Sequence, residues 1–585
     1  MDVVERSVLG RSWRLRTFDE AAAIAISQQH GITEVLGRVL AGRGVGPKQA
    51  GEFLAPRLRD WLPDPSHLHD LDRAAERLAD AIVAAEPVGL IGDYDVDGAT
   101  ATALLARYLR VHGVPVAFEI PDRLRDGYGP NARLLARLAD QGCRLVVTLD
   151  TGTTAFDPLR HAAERGLEVI VIDHHAAEEV LPQALAVVNP NRVDQASPLK
   201  HLAAVGVTFV VLVAVTRMLR DRGLYAHRKE PPLLHWLDLV ALGTVCDVVP
   251  LAGLNRAFVH QGLKVARTAG VTGLAALADA AGLQSVTDAR QFGYVLGPRI
   301  NAGGRIGRSD LGARLLTTDA AAEAAELAQQ LHALNADRQA LERGILEAAQ
   351  RAIEPQLVAE QAVLLVAAEG WHPGIVGIVA SRLADRHHRP VAVLGITDGI
   401  AKGSARSVHG FDLGAAVIAA RQQGILLHGG GHAMAAGMTV AEGQLGRFHD
   451  HLLAAFELAH GRGVPPPRPL ELDGALSVGA AKPALAEQVA RLAPYGAGNA
   501  EPCFILTDAR VIQSRVVGDG HVSCVLTGAV DGRVKAIAFR SSTSPLGREL
   551  LDARVPLRLA GRLRLDNWQG RQQACFEIDD AAPAA

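Results

Sequence analysis

Three aspartates stand at alternating positions in the segment LIGDYDVDGATA (90–101): Asp93, Asp95 and Asp97. Like charges at that spacing repel, so a chain that only had to fold gains little from them. Divalent cations would cancel the repulsion. Hard ions such as Mg2+ and Mn2+ prefer carboxylate oxygens, and two ions about 3.5 to 4 Å apart can share one carboxylate. Other segments supply what such a cluster lacks: Asp150 in LDTGTT, the triplet Asp173, His174 and His175 in VIDHH, and Asp247 in LGTVCDVVPL. Carboxylates joined by an imidazole suit Mn2+ somewhat better than Mg2+. Singly, each residue has an ordinary explanation, since an aspartate at a strand end is commonly a helix cap and Asp-Gly is commonly a turn. Together they point to two-metal chemistry.

Such a cluster needs elements that bring its parts to one place. PVGLIG (87–92), RLVVTL (144–149) and LEVIVI (167–172) are short apolar runs, each ending in acids or a turn and separated by helical patterns. This βαβ signature predicts an α/β protein with a parallel sheet, whose ligands bind at the carboxyl ends of the strands. The acids at 93–97, 150 and 173 should therefore converge on one rim. LAAVGVTFVVLVAV (202–215) is shorter than the roughly 18 to 20 residues a membrane span needs, so it is expected to be a buried helix of a soluble protein, with no membrane partner.

Further along, 319–353 is an alanine-rich amphipathic pattern that predicts a long helix connecting two lobes. A second α/β pattern follows, with strands at 361–367 and 390–395 around the helix after GWHPG. The proline-rich 461–474 is a linker. Beyond it the period-two alternation suggests a small antiparallel barrel. The expected divisions are a helical lead-in at 1–50, a first α/β domain at 51–255, a connecting helical region at 256–355, a second α/β domain at 356–462 and a barrel at 467–582.

A net charge of −3 excludes a global basic field, so any nucleic-acid surface must be local. The five cysteines form no CxxC or zinc-like cluster, and the first thirty residues lack a signal-peptide pattern. A cytoplasmic protein is expected.

GDYDVDGAT, LDTG, DHH and GTVCDVVPL, in that order and spacing, resemble the four motifs of the DHH phosphoesterase superfamily. RINAGGRIGR (299–308), GWHPGIVGIVASRL (370–383), GSARSVHGFDL (403–413) and HGGGHAMAAGM (428–438) resemble its associated domain. With a C-terminal OB-fold barrel, the order from about 45 to 580 is similar to the branch that holds the bacterial single-strand-specific 5′→3′ DNA exonucleases. DVDGAT also resembles the DxDGT motif of haloacid-dehalogenase phosphatases, with Asp95 as nucleophile, but those enzymes make no use of an Asp-His-His triplet.

The resemblance implies two divalent cations, Mn2+ or Mg2+. Asp95 would hold one and Asp97 the other, Asp150 would bridge them, and His174 and Asp247 would complete the shell of the second. Asp93 stands where small-molecule members have a histidine and would serve as a ligand. Asp173 would orient an imidazole, and His175 would sit nearer the scissile phosphate, so that Asp97, Asp150 and His175 take part in catalysis. Arg305, Ser404 and Arg406, with Arg123, would clamp a 5′-terminal phosphate. Tyr128 could stack on a base, and His432 could bind phosphate. From Lys535 to Arg571, eight basic residues (Lys535, Arg540, Arg548, Arg554, Arg558, Arg562, Arg564, Arg571) face three acids (Glu549, Asp552, Asp566), which with Trp568 would form a groove for a single strand.

The implied activity is 5′→3′ degradation of single-stranded DNA to 5′-mononucleotides by a monomer, in recombination and repair, beside single-stranded-DNA-binding protein and a DNA helicase. Two alternatives are a short-oligonucleotide or cyclic-dinucleotide phosphodiesterase, which would usually stop after the associated domain, and a non-catalytic replication scaffold, which would be expected to lose metal ligands.

Overall fold

The computed structural model describes residues 2–123, 125–268, 270–461, 463, 467–528, 532–568 and 571–584; the side chains of Asp2, Asn567, Trp568 and Arg571 are not among those described. The chain forms two compact units. One comprises Met1–Gly304, Arg308–His332 and Pro469–Ala585, the other Arg305–Gly307 and Ala333–Arg468.

The first unit is built on a parallel five-stranded sheet: β1 (Val88–Gly92), β2 (Val116–Glu119), β3 (Leu145–Leu149), β4 (Glu168–Ile172) and β5 (Ala186–Val188), in the order β2-β1-β3-β4-β5. The runs of valine, leucine and isoleucine in β1 and β3 are buried along their whole length, as a sheet covered on both faces requires. The order reverses between β1 and β3, and this switch point opens a crevice beyond their carboxyl ends.

Helix α1 (Val96–Val111) leaves β1 by a turn so tight that a Cβ on Gly98 would lie 2.5 Å from the backbone N and O of Asp93. The apolar run at 202–215 lies, from Ala204 onward, in a largely buried helix, α2 (Ala204–Asp221). Helix α3 (Leu237–Cys246) approaches α1 where a Cβ on Gly243 would fall 2.3 Å from Thr100 Oγ1 and 2.9 Å from Asp97 Oδ1, so only glycine fits there. The expected long helix is α4 (Ala321–Val358), which carries on through Pro355 beyond the end of the sequence pattern.

The second unit holds a five-stranded mixed sheet of β6 (Leu364–Glu369), β7 (Val391–Thr397), β8 (Ile400–Arg406), β9 (His428–His432) and β10 (Ala435–Ala441), with only β6 and β7 parallel. Ile345, Ala349 and Ile353 of α4 pack on one face beside the helix Pro373–His387. Phe411, Phe448 and Phe456 pack on the other.

The barrel closes β11 (Phe504–Val517), β12 (His521–Thr527), β13 (Arg533–Ala538), β14 (Leu557–Trp568) and β15 (Arg571–Pro583) in the order β11-β12-β13-β15-β14, with β14 returning to β11. It is not wholly antiparallel as expected. The helix Pro545–Asp552 and β14 intervene between β13 and β15, and that crossover makes this pair parallel.

The first fifty residues contain the helices Glu20–His30 and Glu34–Gly42 but also two strands, Asp2–Val4 and Trp13–Leu15, which the helical expectation omitted. The second pairs with Leu470–Leu472. Ile26, Leu36 and Leu40 share one core with Phe504 and Phe576 of the barrel. Buried Asp580 accepts hydrogen bonds from Ser7 Oγ (2.6 Å) and Trp13 Nε1 (3.1 Å).

Candidate metal centre

The crevice at the switch point receives the acids of four segments. Asp93 ends β1, Asp95 caps α1 by accepting from the Gly98 amide (3.0 Å), and Asp97 lies in the first turn. Asp97 also accepts from the amides of Ala204 (2.6 Å) and Val205 (3.0 Å), which fixes it to the N-terminus of α2. Asp150 follows β3 at φ 63°, a left-handed conformation that aspartate tolerates better than most residues. Asp247 caps the carboxyl end of α3.

Asp173, after β4, is fully engaged. It accepts from the amides of Thr153, His174 and His175, and its Oδ1 lies 2.7 Å from His175 Nδ1. His174 Nε2 lies 3.3 Å from Asp150, 3.7 Å from Asp247 and 3.9 Å from Asp97.

Three overlapping sets could each hold an ion: Asp93, Asp95 and Asp150; Asp97, His174 and Asp247; Asp150, His174 and His175. Four atoms here are buried without a hydrogen-bond partner among the described residues: Asp93 Oδ1, Asp150 Oδ1, His174 Nε2 and Asp247 Oδ2. Unpaired buried polar atoms are costly, and oxygen donors joined by one imidazole are the set that a hard to borderline divalent cation takes. The residues present fit such ions.

The electrostatics agree. Burial and the charge of Asp95 push the Asp93 carboxyl up to about 8, and the same causes push Asp247 up to about 7. Burial raises Asp97 well above the carboxylate range, reinforced by Asp247 and Asp95, and it raises Asp150 likewise, reinforced by Asp97 and Asp95. Burial lowers His174, and the charge of His175 adds to the effect. His175 differs: burial opposes its charge, but the bond to Asp173 overrides it and lifts the imidazole to about 9.

The residues expected to bind substrate divide between the units. In the first, the Arg123 guanidinium lies 5.1 Å over the ring of Tyr94, beside the carboxylates. Tyr128, expected to stack on a base, donates to the Asp150 carbonyl (3.0 Å) and sets its ring edge-on to His175. In the second, Arg305 donates to the Gly374 carbonyl (2.9 Å), and Arg406 donates to Ser404 Oγ (2.6 Å). A Cβ on Gly377 would meet both Ser404 and Arg406 at 3.3–3.4 Å, so these groups gather at the start of the helix Pro373–His387. Helix N-termini favour anions. His432 is exposed at the end of β9, so HGGGH is an edge strand of the sheet and not a loop.

The basic run on the barrel is less available than its charge count implied. Arg564 is bound to Glu501 and Glu577, Arg562 lies 3.3 Å from Asp579, and Arg558 donates to the Val3 carbonyl. The acids that neutralise them lie outside the counted window. Trp568 and Arg571 fall outside the described side chains.

Two supporting residues went unforeseen. Asn189 donates to Thr153 Oγ1 and to the His175 carbonyl, and Asn191 donates to the His174 carbonyl. Both stand in VVNPN directly after β5, where asparagines following a strand were the available signal.

Fold and site together define a phosphoesterase of the DHH type. The DHH family, N-terminal domain, matches residues 87–244, the DHHA1 domain residues 360–458, and the RecJ OB domain residues 472–580. The single-stranded-DNA-specific exonuclease RecJ of Dickeya dadantii is 37% identical over 94% of this chain and 96% of its own length. The crystal structure of RecJ in complex with Mn2+ from Thermus thermophilus superposes with a TM-score of 0.79 at 32% identity, covering 97% of this chain and 79% of that one. The corresponding Mg2+ complex gives 0.74 at 30% identity over 97% and 78%. The chain belongs to the RecJ family.

Proposed function

We propose that this protein is a metal-dependent exonuclease that degrades single-stranded DNA from the 5′ end to 5′-mononucleotides, acting in recombination and repair. The observation that carries the proposal is the set of four unpartnered buried donor atoms on one rim, in a chain of this family.

The cofactors are two divalent cations, Mn2+ or Mg2+; Asp97, His174 and Asp247 would hold one, Asp93 and Asp95 the other, and Asp150 would serve both, and bound there the ions would supply activation of water and neutralisation of phosphoryl charge. His175 carries a proton at neutral pH. Asp173 accepts the hydrogen bond of its Nδ1–H, which leaves Nε2–H to donate to an oxygen of the scissile phosphate. Tyr128 limits the rotation of that ring, and Asn189 holds its backbone. Arg123 supplies a guanidinium next to the carboxylates, while Arg305, Ser404, Arg406 and His432 of the second unit bind phosphate.

Among the described residues no helix is long and apolar enough to cross a membrane. The protein works in the cytoplasm as a monomer, beside single-stranded-DNA-binding protein and a DNA helicase.

The test is digestion of 3′-labelled, 5′-phosphorylated single-stranded DNA with Mn2+ or Mg2+. Progressive shortening from the 5′ end, abolished by chelation, is the expected result. Cleavage of dinucleotides alone would favour a small-substrate phosphodiesterase, and no cleavage of either would favour a scaffold.

A further inference from the structure

A second feature adjoins the metal centre within the first unit. A groove of about 490 Å³ begins at Val245, Cys246 and Val248, on either side of Asp247, and runs between the turn 289–294 and the barrel residue Arg562. It shares Arg290, Tyr495 and Glu501 with an adjoining groove of about 560 Å³, which passes Lys264, Arg267 and Arg491. All three of these cations are exposed.

Two oddities mark the start of this track. Tyr294 is 80% exposed, although an aromatic ring gains from burial, and it stands on a π-helical turn, Phe292–Leu296. Such turns are rare and concentrate at functional sites. The turn is anchored to α3, the helix that ends at Asp247, because Cys246 Sγ donates to the Phe292 carbonyl (3.5 Å). Val248 is 70% exposed and holds a left-handed φ of 60°, which is strained for a β-branched residue. Strain and solvent-facing apolar groups meet beside the candidate metal ligand Asp247.

We infer that these grooves are the track of the substrate strand on the 3′ side of the cut, with Tyr294 as a stacking platform for a base next to the scissile phosphate and Lys264, Arg267 and Arg491 as phosphate contacts further out. The inference rests on the exonuclease proposal. Stacking on a tyrosine is tolerant of sequence, as a nuclease that must accept every base requires, and spaced cations follow a backbone. Of the barrel run at 535–571 only Arg562 and Arg564 line this track among its basic residues, and both are paired with internal acids, so Lys264, Arg267 and Arg491 are the cations left to hold a strand.

Steady-state kinetics with Mn2+ on a trinucleotide and on a strand of about 20 nucleotides tests the track. Tyr294→Ala should raise KM about tenfold on both, with kcat within about twofold, and Tyr294→Phe should restore KM. The double variant Lys264→Glu/Arg267→Glu should raise KM about tenfold for the long strand alone. An unchanged KM in Tyr294→Ala, or equal effects of the charge reversal on both lengths, overturns the inference and leaves the exonuclease proposal standing. If the wild type hydrolyses neither substrate, it is the exonuclease proposal that fails. Binding of a fluorescent long strand under chelation then still decides the track, which stands if both variants weaken binding and falls if neither does.

Discussion

Two clusters of acids withdrawn from solvent, one largely buried on the rim and one half-buried in the barrel, lie in the first unit, and they are balanced in opposite ways. In the barrel, Glu501, Glu577 and Asp579 are met by Arg562 and Arg564, and burial holds Glu501 up at about 7 against the pull of Arg562 and Arg290. On the sheet rim, the ion-pair partners of Asp97, Asp150 and Asp247 among the described residues are the imidazoles of His174 and His175. The chain meets the barrel acids with its own guanidinium groups; on the rim the cationic imidazole of His175 is bound to Asp173, and the other acids are left for ions from outside. Buried acidity alone therefore does not identify a site; buried acidity without an internal counter-charge does.

Substitutions should separate the two clusters. The largest effect is expected from Asp150→Asn, which keeps shape and tolerates the left-handed backbone: hydrolysis falls at least about a thousandfold. The same change should raise the melting temperature of the metal-free protein, because one of several repelling carboxyls is gone, and should remove most of the stabilisation that Mn2+ gives the wild type, about 2.7 kcal/mol at a hundred times Kd. Scanning fluorimetry with Mn2+ and with EDTA measures both. A lower metal-free melting temperature would mean that the rim is balanced like the barrel.

Asn189→Ala should cost about 10- to 100-fold in activity and in cation affinity, since it frees the backbone that aims His174 and His175. Titration calorimetry reads the affinity.

The pH dependence sharpens the contrast. Asp93 and Asp247, held up at about 8 and about 7, keep protons that an ion must displace. Cation affinity should therefore rise from pH 6 to 8.5, by up to about tenfold per unit for each proton released, and level off above. Heats of binding in buffers of different ionisation enthalpy count those protons.

The smallest catalytic effect belongs to Glu501→Gln. It removes one of the two counter-charges of Arg564, leaving Glu577, and should destabilise the protein by about 2 kcal/mol, with kcat unchanged within about twofold. A thousandfold loss of kcat would erase the distinction between the clusters.

The rim was legible in the sequence because each apolar run ended in acids, and a parallel sheet aligns the carboxyl ends of its strands. The same local logic missed Val116–Glu119 and Ala186–Val188, which are too short to display a period. It assigned no strand to HGGGH, since glycines carry no strand signal and only pairing with Ala435–Ala441 makes them one. It overvalued the basic run of the barrel because Glu501, Glu577 and Asp579 are neighbours in space outside the counted window. Asn189 and Asn191 act through backbone carbonyls, a role that residue type alone does not signal.

The pairing of the strand Trp13–Leu15 with Leu470–Leu472, and the bonds of Ser7 and Trp13 to Asp580, have a consequence for biosynthesis. Ser7 leaves the ribosome 573 residues before Asp580. At about 5 to 20 residues per second, it waits roughly half a minute to two minutes for its partner. During that interval the buried face of Trp13 and the inward sides of Ile26, Leu36 and Leu40 lie open to chaperones and to other nascent chains. The barrel thus cannot reach its native form before Arg571–Pro583 has been made, and the strand Trp13–Leu15 waits with it.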